Sequence, residues 1–286
     1  MLDLPAEPEE SRDQSTWVNG RGLLSLTERV FGMSGALSGK EVSLNRDEVL
    51  GAIVGSKLTR HAYRDRVYQN DGFPPLIDLV DSRHQRILDV GCGDGANMRL
   101  LKARGHDVEG ITLSEAEARI VRSQGFTCHV ADINWELPTF CPGSFDGILL
   151  SHVLEHFVSP VDVLKELCRM LLPGGGVYVV LPNVLQFQQR WELVRGHFQY
   201  AETGIMDRTH LRFFDFYSAG DLVRDAGLEV VRHEGIGQCP MGPFRELTPG
   251  FSRRIDRLVS KWWPGLFAFH IVVVGRLSVA NLKNDP

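Results

Sequence analysis

Paired cysteines, long apolar runs and an excess of basic residues are all missing from this chain of 286 residues. Its five cysteines, at 92, 128, 141, 168 and 239, form no CxxC pair. An odd, scattered set of this kind reads as reduced thiols in a cytoplasmic protein. The longest apolar stretch, Trp262 to Gly275, is broken by Pro264, Gly265 and His270 and is too short to span a bilayer. The opening MLDLPAEPEESRD is acidic and lacks an apolar core, so no signal peptide is expected. Lys and Arg number 31 against 36 Asp and Glu, a formal net charge of -5. Phosphate recognition usually shows as a basic excess, so nucleic-acid binding is not expected. What is present is 43% hydrophobic residues, ample for one well-packed domain with an appendage.

Residues 1–50 read as a polar N-terminal tail followed by short helices, and 51–286 as the main domain. Leu58, Tyr63 and Val67 predict a helix over 56–68, broken by Gly72 and Pro74. From Arg86 the pattern is regular: strand 87–90, helix 96–104, strand 107–113, helix 114–124, strand 126–133 and strand 145–151. Ser114 is placed to cap its helix, with Glu117 at the third position of a capping box. A helix over 160–172 starts at Ser159-Pro160 and carries Val161, Leu164, Leu167 and Leu171 as its apolar stripe. Strand 177–183, helix 217–226, strand 228–234 and strand 269–277 follow. Strands alternating with helices of this length argue an α/β fold built on a parallel sheet covered on both faces.

The chain is organised around Ile87–Gly95, ILDVGCGDG. A buried strand turning through glycines into a helix presents backbone N–H groups and a positive helix end to a ligand. The spacing is GxGxG, not the GxGxxG of dinucleotide sites, and the turn has no lysine of a phosphate-cradling loop. Asp89 would repel a pyrophosphate and attract an ammonium or sulfonium group. The competing readings are a glycine turn with no ligand and a nucleotide-binding dehydrogenase.

Five segments in order, ILDVGCGDG, GITLSEAEA, ADI, FDGILLSHVLEHF and LLPGGGVYVVLPN, resemble the class I S-adenosylmethionine-dependent methyltransferases. The resemblance covers 86–183 closely and the closing strands in pattern. It implies a Rossmann-like three-layer sandwich, with a mostly parallel seven-stranded sheet whose last strand is antiparallel. It implies S-adenosylmethionine as cofactor, with Asp89, Gly91, Cys92, Gly93 and Gly95 around the methionine part. Thr112, Leu113 and Ser114 match the ribose position, Asp132 and Ile133 the adenine position, and Ser151 and His152 the end of the fourth strand under the methyl group. Most of the superfamily has a carboxylate where Thr112 stands; GITLS resembles cyclopropane-fatty-acid synthases and some N-methyltransferases. A neutral hydroxyl makes a weaker ribose contact than a carboxylate.

His152, Glu155 and His156 spell HxxEH, but His152 directly follows an apolar strand, so a single zinc-binding helix is not expected and no metal is assigned. Residues 184–215, aromatic and of mixed charge, read as an acceptor-side insertion or lid. The run GxxDxTHLRFF within it resembles the segment after strand five in bacterial methyltransferases of small molecules, quinones and saccharides. His210 is the candidate general base, with Asp207 or Arg212 fixing it, because neutral histidine is the usual side chain for taking a hydroxyl proton near pH 7. The alternative for His210 and Arg212 is to tie the loop to the sheet. The expected activity is O-methylation of a small-molecule or sugar hydroxyl. N- or C-methylation, including lipid-type acceptors, and a non-catalytic cofactor-binding module are the alternatives. The basic amphipathic segment 252–263 reads as a surface helix, with peripheral membrane contact as its other reading. Oligomeric state is not legible in the sequence.

Overall fold

A computed structural model describes residues 67–278, apart from 135–137 and 139. The expected N-terminal tail and short helices, and the helix expected over 56–68 except its last two residues, lie outside the described residues. After a single turn, α1 (Pro74–Ile77), the predicted alternation begins with β1 (Arg86–Val90), α2 (Ala96–Ala103), β2 (Asp107–Thr112), α3 (Glu115–Ser123) and β3 (Thr127–Val130). It continues with β4 (Phe145–Ser151), a 3-10 turn (Leu154–His156), α4 (Pro160–Cys168) and β5 (Leu171–Pro182). Then come α5 (Phe187–Val194), α6 (Phe216–Asp225), β6 (Leu228–Gly237), α7 (Phe244–Leu247), α8 (Pro249–Trp262), α9 (Pro264–Phe267) and β7 (Ala268–Leu277).

The seven strands form one sheet in the order β3-β2-β1-β4-β5-β7-β6. β1 pairs in parallel with β2 and β4, whereas β7 runs antiparallel to both β5 and β6. The expected Rossmann-like sandwich with an antiparallel last strand is therefore the fold observed. Successive β1 residues feed opposite layers, as strand periodicity requires. Ile87 packs with Leu76, Met98, Leu101 and Val121 on one side, while Leu88 and Val90 pack with Ile148, Leu150, Leu164 and Leu167 on the other. Chain order reverses between β1 and β4, and open α/β sheets bind ligands at that crevice, outside the carboxyl ends of the strands.

The boundary between α4 and β5 differs most from expectation. The helix predicted over 160–172 stops at Cys168, and Leu171 instead pairs with Phe145 as the first residue of β5. Pro173 and the glycines after it cannot extend a helix, so Leu171 enters the core through the sheet, 3% exposed.

Candidate active site

The glycine turn leaves β1 at Val90 and enters α2 at Ala96. Gly91 lies at φ +74°, a left-handed conformation costly for any residue with a side chain. A Cβ on it would stand 2.7 Å from Val153 Cγ2, so the loop after β4 packs directly on this glycine. Gly95, also left-handed, occupies the N-cap of α2 and offers no side chain to the helix N–H groups. The Cys92 side chain turns inward, its Sγ 3.8 Å from Cys128 Sγ, and fills space left open by Gly110. The Cys92 backbone is tied into the turn, its amide held with that of Gly91 by the Ile111 carbonyl and its carbonyl accepting from the Gly95 amide.

Asp89 is the unbalanced group of this corner. It is 1% exposed, neither carboxylate oxygen has a hydrogen-bond partner, and burial pushes its pKa up to about 7. A buried carboxylate left in this state calls for a cation. The ammonium or sulfonium of S-adenosylmethionine meets that need and a pyrophosphate does not.

Thr112 ends β2 with its hydroxyl donating to Glu117 Oε2. Glu117 Oε1 accepts from the Tyr68 amide at 2.9 Å, and burial raises the Glu117 pKa. Ser114 caps α3 as expected, accepting from the Glu117 amide at 3.3 Å. The Glu117 side chain does not close the capping box; it turns to the Thr112 hydroxyl and the Tyr68 amide instead. A buried carboxylate thus lies beside Thr112, five residues on from the position where the superfamily usually carries one. The capping-box pattern assigns Glu117 only to the helix end, and its five-residue spacing from Thr112 is the signal for this second contact. Leu113 is half-buried beside this pair. Asp132 follows β3 and accepts from the Asn134 amide, and Ile133 packs on the core.

Ser151 closes β4, and His152 follows with φ +55°, the one left-handed non-glycine among the described residues. That conformation lets its amide bond the Val180 carbonyl at 3.0 Å while the ring lies edge-on to Phe73 and His270. Burial, with the nearby His152, pushes the His270 pKa down to about 4. HxxEH is a strand end followed by a 3-10 turn, not one helix.

Glu155, 1% exposed, links the end of β4 to the 204–214 segment. Its Oε1 lies 3.5 Å from His152 Nδ1 and 3.9 Å from His210 Nε2. Burial raises its pKa, but the bond from His152 and the charges of His152 and His156 outweigh it, and the net direction is downward. Its backbone carbonyl accepts from the Leu211 and Arg212 amides, which straps the 204–214 segment across the end of β4. His156 Nδ1 lies 3.1 Å from the Thr209 carbonyl and His210 Nδ1 lies 3.0 Å from the Ile205 carbonyl. Burial lowers the His210 pKa and keeps its ring neutral near pH 7.

Asp207 and Arg212 have other partners. The Asp207 carboxylate accepts from the Thr209 amide and hydroxyl, and the Arg212 guanidinium donates to the Val158 carbonyl. The carboxylate that approaches the His210 imidazole is that of Glu155, which the sequence places only within the HxxEH pattern. His210 also lines an open depression of about 700 Å³ together with Gln199, Tyr200, Arg208 and Leu211. Glu155, His156 and His210 each place one donor atom within 4.8 Å of the others, the one such convergence among the described residues. One carboxylate and two imidazoles would suit a divalent transition metal.

Residues 61–233 match the family described as "Methyltransferase domain". The chain belongs to that family. It is a class I S-adenosylmethionine-dependent methyltransferase, in agreement with its sheet order. A ubiquinone biosynthesis O-methyltransferase of Pseudomonas paraeruginosa is 28% identical over 199 residues, covering 63% of this chain and 84% of the relative. The enzyme of the same description from Methylococcus capsulatus is 32% identical over 166 residues, covering 55% of this chain and 68% of the relative. A crystal structure of a SAM-dependent methyltransferase from Archaeoglobus fulgidus superposes with a TM-score of 0.51 at 18% identity, covering 68% of this chain and 87% of that one. At that identity the likeness is one of fold.

Asp89 gives this methyltransferase a pH signature. A carboxyl whose pKa is raised on folding stabilises the protein below its unfolded pKa, and that stability is lost as pH climbs through the folded value, here about 7. The loss amounts to about 4 kcal/mol at 1.36 kcal/mol per pKa unit. A bound cation offsets it. The thermal stabilisation given by S-adenosylmethionine is therefore expected to grow between about pH 5.5 and 7.5 and to lose that growth in Asp89→Asn. An unchanged pH dependence in the variant would remove Asp89 from the cofactor site.

Proposed function

We propose that this methyltransferase transfers a methyl group to a hydroxyl oxygen of a small organic or sugar acceptor bound beside His210. S-adenosylmethionine, when bound, supplies the electrophilic methyl carbon. On this reading Asp89 and the backbone of Gly91, Cys92, Gly93 and Gly95 hold its amino-acid end. Thr112, backed by Glu117, and Ser114 meet the ribose, with Leu113 beside them. Asp132 and Ile133 meet the adenine, and Ser151 and His152 lie at the methyl end. All five cysteines are free, which fits a cytoplasmic site of action.

The observation that carries the O-methyl reading is the approach of a neutral, buried His210, at the wall of a cavity, to the buried Glu155 carboxylate behind it. With Nδ1–H donating to the Ile205 carbonyl, the lone pair lies on Nε2. A hydroxyl proton taken there creates an imidazolium close to a carboxylate. At about 4 Å and an effective dielectric of about 20, that pair attracts by about 4 kcal/mol. An attraction of this size is enough to matter for a base whose burial otherwise weakens it. An amine acceptor that arrives neutral places less demand on such a base. The O-methyltransferase description of the curated relatives points the same way.

His210→Gln tests the assignment. Turnover is expected to fall at least about 10³-fold with KM little changed. The wild-type rate is expected to be level from neutral pH upward and to drop in acid as the imidazole protonates. Near-wild-type turnover with lowered stability would return His210 to a purely structural role. A metal at Glu155, His156 and His210 is the second reading, favoured by the convergence of their donor atoms; it would acidify the hydroxyl directly. Dialysis against a chelator separates the two, since general-base catalysis survives it and a metal-assisted reaction stops until a divalent cation is restored.

A further inference from the structure

Helix α8 is amphipathic in the opposite sense to a core-packed helix. Toward the protein it presents Ser252 and Ser260, both buried, with Ile255, Asp256 and Val259 half-buried beside them. Toward water it presents Phe251, Leu258 and Trp262, the last 71% exposed. At 3.6 residues per turn these three fall within about 40° of one another, a continuous apolar stripe. Phe244 and Leu247 on α7, and Trp263 just beyond α8, extend the exposed apolar surface at both ends. A surface helix ordinarily turns such a stripe inward. Here serines take the inward positions, so refolding the helix onto the sheet would not satisfy it.

On one flank of the stripe lie Arg254 and Lys261, about 60–80° round the helix from it, and Arg257 and Arg253 follow farther round, all four exposed. Among the described residues none of these four has a carboxylate partner. Arg253 and Arg257 donate to carbonyls of their own helix. The one acid on α8, Asp256, is spent on Arg245, at 2.7 Å, and on the Cys239 amide. Residues 244–263 carry five basic and two acidic side chains in a chain whose net charge is -5. The positive charge is thus local to the segment that exposes the aromatics.

We propose that this face docks on an anionic membrane surface, with α8 lying in the plane of the interface. Phe251, Leu258 and Trp262 would enter the boundary between headgroups and acyl chains while Arg254 and Lys261, with Arg257 beyond them, meet lipid phosphates. Tryptophans at one end of the helix suit that boundary, where an amphipathic ring keeps its N–H wet. A second copy of the chain fits less well. An isologous contact through this face would bring two sets of four unpaired cations together, and like charges opposed across an interface are disfavoured.

The test is co-sedimentation of the full chain with vesicles of neutral phosphatidylcholine and with vesicles containing about one-third phosphatidylglycerol, alongside the fluorescence of the exposed tryptophans. Binding is expected to the anionic vesicles only, with a blue shift of emission and release at high salt. Phe251→Ser/Leu258→Ser/Trp262→Ser is expected to cut binding at least tenfold, and so is Arg254→Glu/Arg257→Glu/Lys261→Glu. Neither change touches the cofactor turn, and the altered side chains face water, so melting temperature and S-adenosylmethionine affinity are expected to stay at wild-type values. Absence of binding to anionic vesicles, equal binding to both kinds, or a dimer that the apolar triple variant dissociates without any vesicle binding would each overturn the proposal.

Discussion

Glu155→Gln is expected to lower kcat by about two to three orders of magnitude while the protein stays folded, with Tm within about 5 °C of wild type. Glutamine keeps the shape and volume of the side chain and removes its charge. The backbone carbonyl of residue 155, which accepts from the Leu211 and Arg212 amides, is untouched, so the strap over the end of β4 remains. What disappears is the carboxylate 3.9 Å from His210 Nε2 and 3.5 Å from His152 Nδ1. The imidazolium formed on taking the acceptor proton then loses its counter-charge, an attraction of about 4 kcal/mol at the dielectric used above. Loss of about 10²–10³ in kcat is about 3–4 kcal/mol, the same order, which ties the effect to that one interaction. Turnover within about threefold of wild type would dismiss the His210–Glu155 pair as the proton acceptor.

Gly91→Ala is expected to be the most damaging small change in the cofactor turn. An alanine at φ +74° carries about 1–2 kcal/mol of left-handed strain. Its Cβ would also sit 2.7 Å from Val153 Cγ2, and an overlap of that kind in a packed region adds about 1–3 kcal/mol. Relief requires the turn or the loop after β4 to move. That loop carries His152 and Glu155, so both halves of the site suffer. Expected are a Tm lower by roughly 5–12 °C and a cofactor Kd raised at least about tenfold. Gly105→Ala is the control, because Gly105 lies at φ +91° with nothing within 4 Å of an added Cβ. It feels the strain without the collision and lies away from the turn. Equal losses of stability and cofactor affinity in the two variants would mean that the contact with Val153 is irrelevant.

Much of this was legible before any coordinates. The glycine spacing at 91, 93 and 95, the apolar runs at 87–90, 148–150 and 177–181, and the helix stripe at Leu164 and Leu167 specify their elements through local sterics and periodicity. Leu171 continues the apolar stripe of α4 and so carries the predicted helix to 172, just short of Pro173. Pairing across the sheet with Phe145 decided that residue. Glu117 shows a similar override: the capping-box pattern was present, but two donors brought close by the fold, the Thr112 hydroxyl and the Tyr68 amide, took its side chain.

The sequence by itself determined the parallel sheet, the glycine turn and the carboxylate below it, because each rests on a few adjacent residues and the backbone conformations open to them. Only the tertiary structure decided that His210 meets Glu155, 55 positions back in the chain, while Asp207 and Arg212 bind elsewhere. It alone set the Phe251–Trp262 stripe toward water and the serines toward the sheet. In both cases the physical reason is that a side chain's partner depends on which distant segments the sheet order brings to the same edge, and one-dimensional spacing does not carry that information.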